Sequence, residues 1–208
     1  MAKVKIRDSF WEHPFCIPFS RDLAPHSIFD KHKDYLIFDI ETKNLAPRTN
    51  NLDDFAALGV SVACAWDSRT QEMLTFFEDK MDDFVKLLGE RLVIGYNIRR
   101  FDLPVMRGYG LKMNKIDYFD LMDEVERGLG RRWIKLEYLA QGTLGEGKSG
   151  DGKVAVQWYK EGRFEELAEY CARDVEVTKD IFQFGLENNF LRVQFPEKDP
   201  QEIRVDWR

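Results

Sequence analysis

Tyr35-Leu36-Ile37-Phe38-Asp39-Ile40-Glu41-Thr42 sets two carboxylates into a strongly apolar run. Its apolar residues do not alternate with polar ones, which marks a strand buried on both faces rather than one with a solvated side. Side chains alternate between the faces of a strand, so Asp39 and Glu41 share one face at its C-terminal end. Ligand sites in open α/β sheets lie at those ends. An ionised group among apolar neighbours is costly unless positive charge offsets it. The competing explanation is a strand end that turns acidic on meeting solvent.

Working outward, Leu58 to Trp66 and Thr70 to Phe77 read as two further strands, joined as a hairpin through Asp67-Ser68-Arg69. Residues 79–89 read as a helix, Arg91 to Tyr96 as a short buried strand, Leu103 to Tyr109 as a helix and Lys115 to Phe119 as the last strand. Helices follow around 120–128, 134–141, 154–161 and 163–187. Strands alternating with helices imply an α/β domain with a mixed sheet. Residues 1–34, aromatic and proline-bearing, read as an N-terminal extension packing on the core; 35–189 form the domain, and 190–208 read as an extended C-terminal tail.

Two more acidic positions join the first pair. Asp102 closes Asn97-Ile98-Arg99-Arg100-Phe101-Asp102, before Leu103-Pro104. Taken alone it suits a helix N-cap. Asp174 lies in the long helix, whose apolar stripe runs Phe164, Leu167, Cys171, Val175, Thr178 and Phe182. Asp174 falls on that inward side, with Tyr170 four residues earlier on the same face. A surface salt bridge to Arg173 or Lys179 is the plainer alternative. The simplest compensating partner for four carboxylates is a pair of divalent ions, which points to phosphoryl-transfer chemistry.

Taken together, these residues resemble the DEDD superfamily of 3′-5′ exonucleases, which has a ribonuclease H-like fold with a mixed central sheet flanked by helices. The matching motifs are Asp-x-Glu (Asp39, Glu41), Asn-x-x-x-Phe-Asp (Asn97, Phe101, Asp102) and Tyr-x-x-x-Asp (Tyr170, Asp174). The last form marks the tyrosine subclass, DEDDy. The histidine subclass has His where Glu169 stands here. The resemblance spans about residues 35–187 and is closest to proofreading domains of family B DNA polymerases and to YprB-like stand-alone relatives. It implies a metal-dependent 3′-5′ exonuclease of DNA or RNA that acts on single-stranded 3′ ends and releases nucleoside 5′-monophosphates. It implies two Mg²⁺ or Mn²⁺ ions held by Asp39, Glu41, Asp102 and Asp174, with Tyr170 orienting the attacking water. Asn97 and Phe101 would position the terminal nucleotide. A non-catalytic module that binds nucleic acid or docks a helicase, and an endonuclease using the same site, are the other readings.

Substrate contacts should be basic and aromatic. Arg99 and Arg100 lie inside the second motif, and Arg131-Arg132-Trp133 precede the next helix. Lys148 sits in Gly142-Thr143-Leu144-Gly145-Glu146-Gly147-Lys148-Ser149, which literally matches a P-loop. That motif needs a strand before it and a helix straight after it. Here a helix precedes and Gly150-Asp151-Gly152 follow, so a loop whose Lys148 touches substrate phosphates is the better reading. The 208 residues are 44% hydrophobic and 13% aromatic, enough for a substantial core. A net charge of −6 argues against a dedicated nucleic-acid-binding module more than against a nuclease. Scattered Cys16, Cys64 and Cys171 suit a reducing compartment, and no membrane-length apolar run occurs, so a cytoplasmic protein is expected.

Overall fold

The eight residues quoted first form the central strand of the fold. In the computed structural model, which describes residues 29, 31–47, 49, 51–147 and 153–207, β1 (Tyr35–Thr42) lies between β2 (Val60–Asp67) and β4 (Leu92–Gly95). The sheet order is β3-β2-β1-β4-β5, with β3 at Glu72–Phe76 and β5 at Tyr118–Asp120. β1 pairs antiparallel with β2 and parallel with β4, and β4 pairs parallel with β5. The sheet is therefore mixed, as the alternating strands and helices imply.

Alternation along β1 assigns its side chains to two cores. Leu36, Phe38 and Ile40 pack with Phe84 and Leu88 of α2 (Met81–Gly89) and Leu103 and Met106 of α3 (Asp102–Met106). Ile37 faces the other way, onto α7 (Phe164–Asn188), with Leu167, Cys171 and Val175. Asp39 and Glu41 follow Ile37 in the two-residue repeat, so β1 presents both to α7. A short α1 (Leu52–Ala56), not expected from sequence, is capped by Asn51, whose side chain accepts from Asp53 N at 3.1 Å. The remaining helices are α4 (Leu121–Leu129), α5 (Leu136–Leu144) and α6 (Lys153–Glu161).

Three expectations change. The helix expected over Leu103–Tyr109 is α3 followed by a 3₁₀ turn, Arg107–Tyr109, closed by Gly110 at φ 88°. The expected glycine loop begins as the end of α5. A Cβ on Gly142 would lie 2.4 Å from Arg192 O, so this glycine lets β6 (Phe190–Val193) approach rather than cradling phosphate. Finally, 190–207 is not an extended tail. β6 and β7 (Gln201–Arg204) form an antiparallel hairpin, and Trp207 stacks on Phe182 at 5.5 Å. Trp207 is 2% exposed; truncation of so large a buried ring typically costs about 3–5 kcal/mol. Gly185 makes room for it, since a Cβ there would meet the ring at 2.2 Å. The described part of the N-terminal extension includes Phe29, edge-on to Phe119 at 5.2 Å, and His32, 2.9 Å from the Asp117 carboxylate.

Candidate active site

One face of β1 and one turn of α7 build the centre of the site. Residues 170 and 174 are a helical turn apart on the buried side of α7, where Tyr170 is 6% and Asp174 7% exposed. Asp39, Glu41 and Asp174 each bring a carboxylate oxygen to within 4.8 Å of the other two. Arg173 pairs with Glu146 and Glu176, and Lys179 with Asp180. Cys171 lies beneath, its Sγ donating to Asp39 O at 3.4 Å. Burial pushes that thiol well above its usual range, so it remains a protonated donor against β1. The triad, Tyr170, Asn97, Phe101 and Asp102 all line one cleft of about 960 Å³.

Asp102 reaches the cleft differently. It is the first residue of α3, not its cap, and its carboxylate accepts from Ile40 N at 3.2 Å. It is 3% exposed, and burial pushes its carboxyl up to about 8. Asp102 thus lines the same cleft but does not belong to the converging triad.

The turn that aims Asn97 and Phe101 is held by Asp120, a residue the sequence reading passed over. Its carboxylate accepts from Asn97 N at 2.8 Å, Arg99 N at 2.9 Å and Met122 N at 3.0 Å. The last of these caps α4. The other two fix Asn97 in the left-handed region at φ 65°. Burial first, then the Asp123 charge, raise Asp120 to about 6. Asn97 Oδ1 is buried and meets no hydrogen-bond partner among the described residues. Phe101 is half-buried, edge-on to Phe55 at 6.0 Å. An aspartate directly before an amphipathic helix was the available signal for Asp120.

The basic residues expected at the substrate lie elsewhere or on the rim. Arg99 makes a bidentate pair with Asp123, at 2.6 and 3.0 Å. Arg100 reaches both Asp123, at 2.7 Å, and Glu126, at 2.6 Å. Neither lines the cleft; they tie the 97–102 turn to α4. Arg132 is exposed and also off the cleft wall. Lys148 lies outside the described residues. Trp133 does line the cleft and is 67% exposed, with the Arg100 guanidinium 5.5 Å from its ring. Lys153, from α6, also lines it.

Three carboxylates offering only oxygen at this spacing fit a hard divalent cation such as Mg²⁺ or Mn²⁺. Among the described residues, no helix is long and apolar enough to cross a membrane. No curated protein matches the chain. The RNase_H_2 family model, described as RNase_H superfamily, matches residues 36–184. That range runs from the second residue of β1 past the Asp174 turn of α7 and so contains all of the five-stranded sheet but Tyr35, and every residue of the acidic site. The chain belongs to the RNase H superfamily.

Proposed function

We propose that this protein is a metal-dependent 3′-5′ exonuclease. Members of its superfamily are usually nucleases, and a nucleic-acid substrate follows from that. The observation that carries the finer reading is the convergence of Asp39, Glu41 and Asp174 in a cleft that also receives Tyr170, Asn97, Phe101 and Asp102. Asp39, Glu41 and Asp174 would hold the first of two divalent ions, and Asp102 would stand beside the second. Bound there, such ions supply an activated water and charge stabilisation at the departing oxygen.

This chain's own groups do the rest. Tyr170, fixed on the same helical face as Asp174, orients the attacking water with its hydroxyl. Asn97, held by Asp120, offers a buried carbonyl oxygen that the described residues leave unsatisfied, and the terminal sugar hydroxyl is a donor able to satisfy it. Phe101 and Trp133 flank the terminal base. Hydrolysis adds water across the last phosphodiester: the bond from phosphorus to the 3′ oxygen breaks, that oxygen takes a proton, and a nucleoside 5′-monophosphate leaves.

The direct test uses 5′-labelled single-stranded DNA and RNA with Mg²⁺, with Mn²⁺ and with EDTA, resolved at single-nucleotide spacing. The expected result is a metal-dependent ladder that shortens from the 3′ end. Mid-length fragments without a ladder would make it an endonuclease. Binding without any cleavage would make it a docking module.

A further inference from the structure

A second pocket shares α6 with the acidic cleft. Its volume is about 500 Å³, and Ser61, Phe77, Glu78, Asp79, Tyr159 and Phe164 line it. Phe164 begins the apolar stripe of α7, yet it is 45% exposed, and Phe77 is 37% exposed. Their rings stand edge-on at 6.2 Å, and Phe164 meets Tyr159 edge-on at 6.1 Å. Three aromatic rings thus face a space that the fold does not fill. Ser61 is 3% exposed, lines this pocket, and its hydroxyl has no hydrogen-bond partner among the described residues. A buried hydroxyl without a partner typically costs a few kcal/mol, so the pocket is short of one polar contact.

The position of the pocket links it to the cleft. Ser61 is the extra residue where the β1–β2 register shifts, between Val62, paired with Glu41, and Val60, paired with Thr42. α6 supplies Lys153 and Val156 to the acidic cleft and Tyr159 to this pocket. At the rim, Lys43 pairs with Glu78 and lies 5.6 Å from the centre of the Tyr159 ring, which leaves Asp79 to make the mouth acidic. Phosphate is disfavoured there. A neutral, flat, amino-bearing group is favoured: ring faces for stacking, with carboxylate and hydroxyl oxygens as acceptors.

We infer that the Phe77–Tyr159–Phe164 pocket is a nucleobase subsite for the strand upstream of the scissile nucleotide, preferring bases with an exocyclic amino group. This rests on the nuclease reading and adds a second point of grip on the same strand.

Binding of labelled single strands in Ca²⁺ would be measured for the wild type, Phe164→Ala and Tyr159→Leu, with single abasic sites scanned back from the 3′ end. One position should couple to the pocket. An abasic site there should weaken wild-type binding about tenfold and the Phe164→Ala variant hardly at all. At that position cytosine or adenine should bind more tightly than thymine or uracil. Absence of a coupled position, with both variants folded by circular dichroism, would overturn the subsite. So would failure of the wild type to bind any strand. Hydrolysis of the same strands separates the two readings: binding and coupling without cleavage would strike the nuclease assignment alone, and cleavage without coupling would strike the pocket alone.

Discussion

Two acidic clusters flank the same turn of chain and meet opposite fates. On α4, Asp123 and Glu126 converge on Arg99 and Arg100, with the side chains of all four 8–16% exposed. On β1 and α7, the carboxylates of Asp39, Glu41 and Asp174 converge on one another. Two like charges about 4 Å apart repel by roughly 4 kcal/mol at the effective dielectric of a protein surface. A cluster closed by guanidinium groups is a structural tie. A cluster of carboxylate oxygens that converges on the wall of an open cleft can take up a cation from solution. Composition does not distinguish them; the elements that carry the residues do.

The largest effect separating the clusters should come from Asp39→Ala. Turnover should fall by roughly a thousandfold or more, because the substitution removes a carboxylate from the proposed metal site, while thermal unfolding stays cooperative. Full turnover in a folded Asp39→Ala protein would end the site assignment. Arg100→Ala should do the reverse. It leaves Glu126 and Asp123 buried with one cation fewer, and loss of a buried partner typically costs about 3–5 kcal/mol in chemical denaturation. Activity per folded molecule should stay within a few-fold of the wild type. An Arg100→Ala protein of native stability with weakened strand binding would return Arg100 to the substrate.

The fold was legible where one physical signal dominated. The unbroken apolar run marked β1 as central, the hairpin followed from its turn, period-two spacing put Asp39 with Glu41 and i, i+4 spacing put Tyr170 with Asp174, while the meeting of the two pairs was implied by the family resemblance alone. Arg99 and Arg100 were not legible, because their partners lie more than twenty residues away on α4 and nothing local separates a carboxylate partner from a phosphate. The β6–β7 hairpin was missed because each strand is only four residues long and the link, Gln194 to Pro200, carries two prolines. Phe164 misled because its place in the stripe is correct, but the first turn of α7 opens onto the second pocket.

Asp102 sits between the two clusters in character and sharpens the contrast through pH. Its folded value near 8 stands above the ordinary 3.8, so between those limits the folded chain holds a proton that the unfolded chain has lost. Stability from this group is therefore present at acid pH and falls as pH rises toward 8. Asp120 acts with the same sign up to about 6. Asp102→Asn keeps an oxygen to accept from Ile40 N and removes the titration. In metal-free protein the variant should match the wild type near pH 4 and exceed it by a few kcal/mol, to order of magnitude, at pH 8. Parallel stability curves for the two proteins would show that Asp102 is ionised in the folded state across the range.

The smallest effect is the most specific. A ligand that binds only the folded chain stabilises it by RT ln(1 + [L]/Kd), about 2.7 kcal/mol at a hundredfold excess over Kd. Mg²⁺ or Mn²⁺ should therefore raise the melting temperature of the wild type by several degrees, in step with concentration. Asp174→Asn should abolish the rise, because it removes one of the three converging carboxylates while keeping the shape of the side chain. Arg100→Ala should start from a lower melting temperature and show the full rise, since its cluster is already closed by arginine. A rise that survives Asp174→Asn and disappears in Arg100→Ala would reverse the roles assigned to the two clusters. The cation would then belong to α4, and the convergence on β1 and α7 would need another cause.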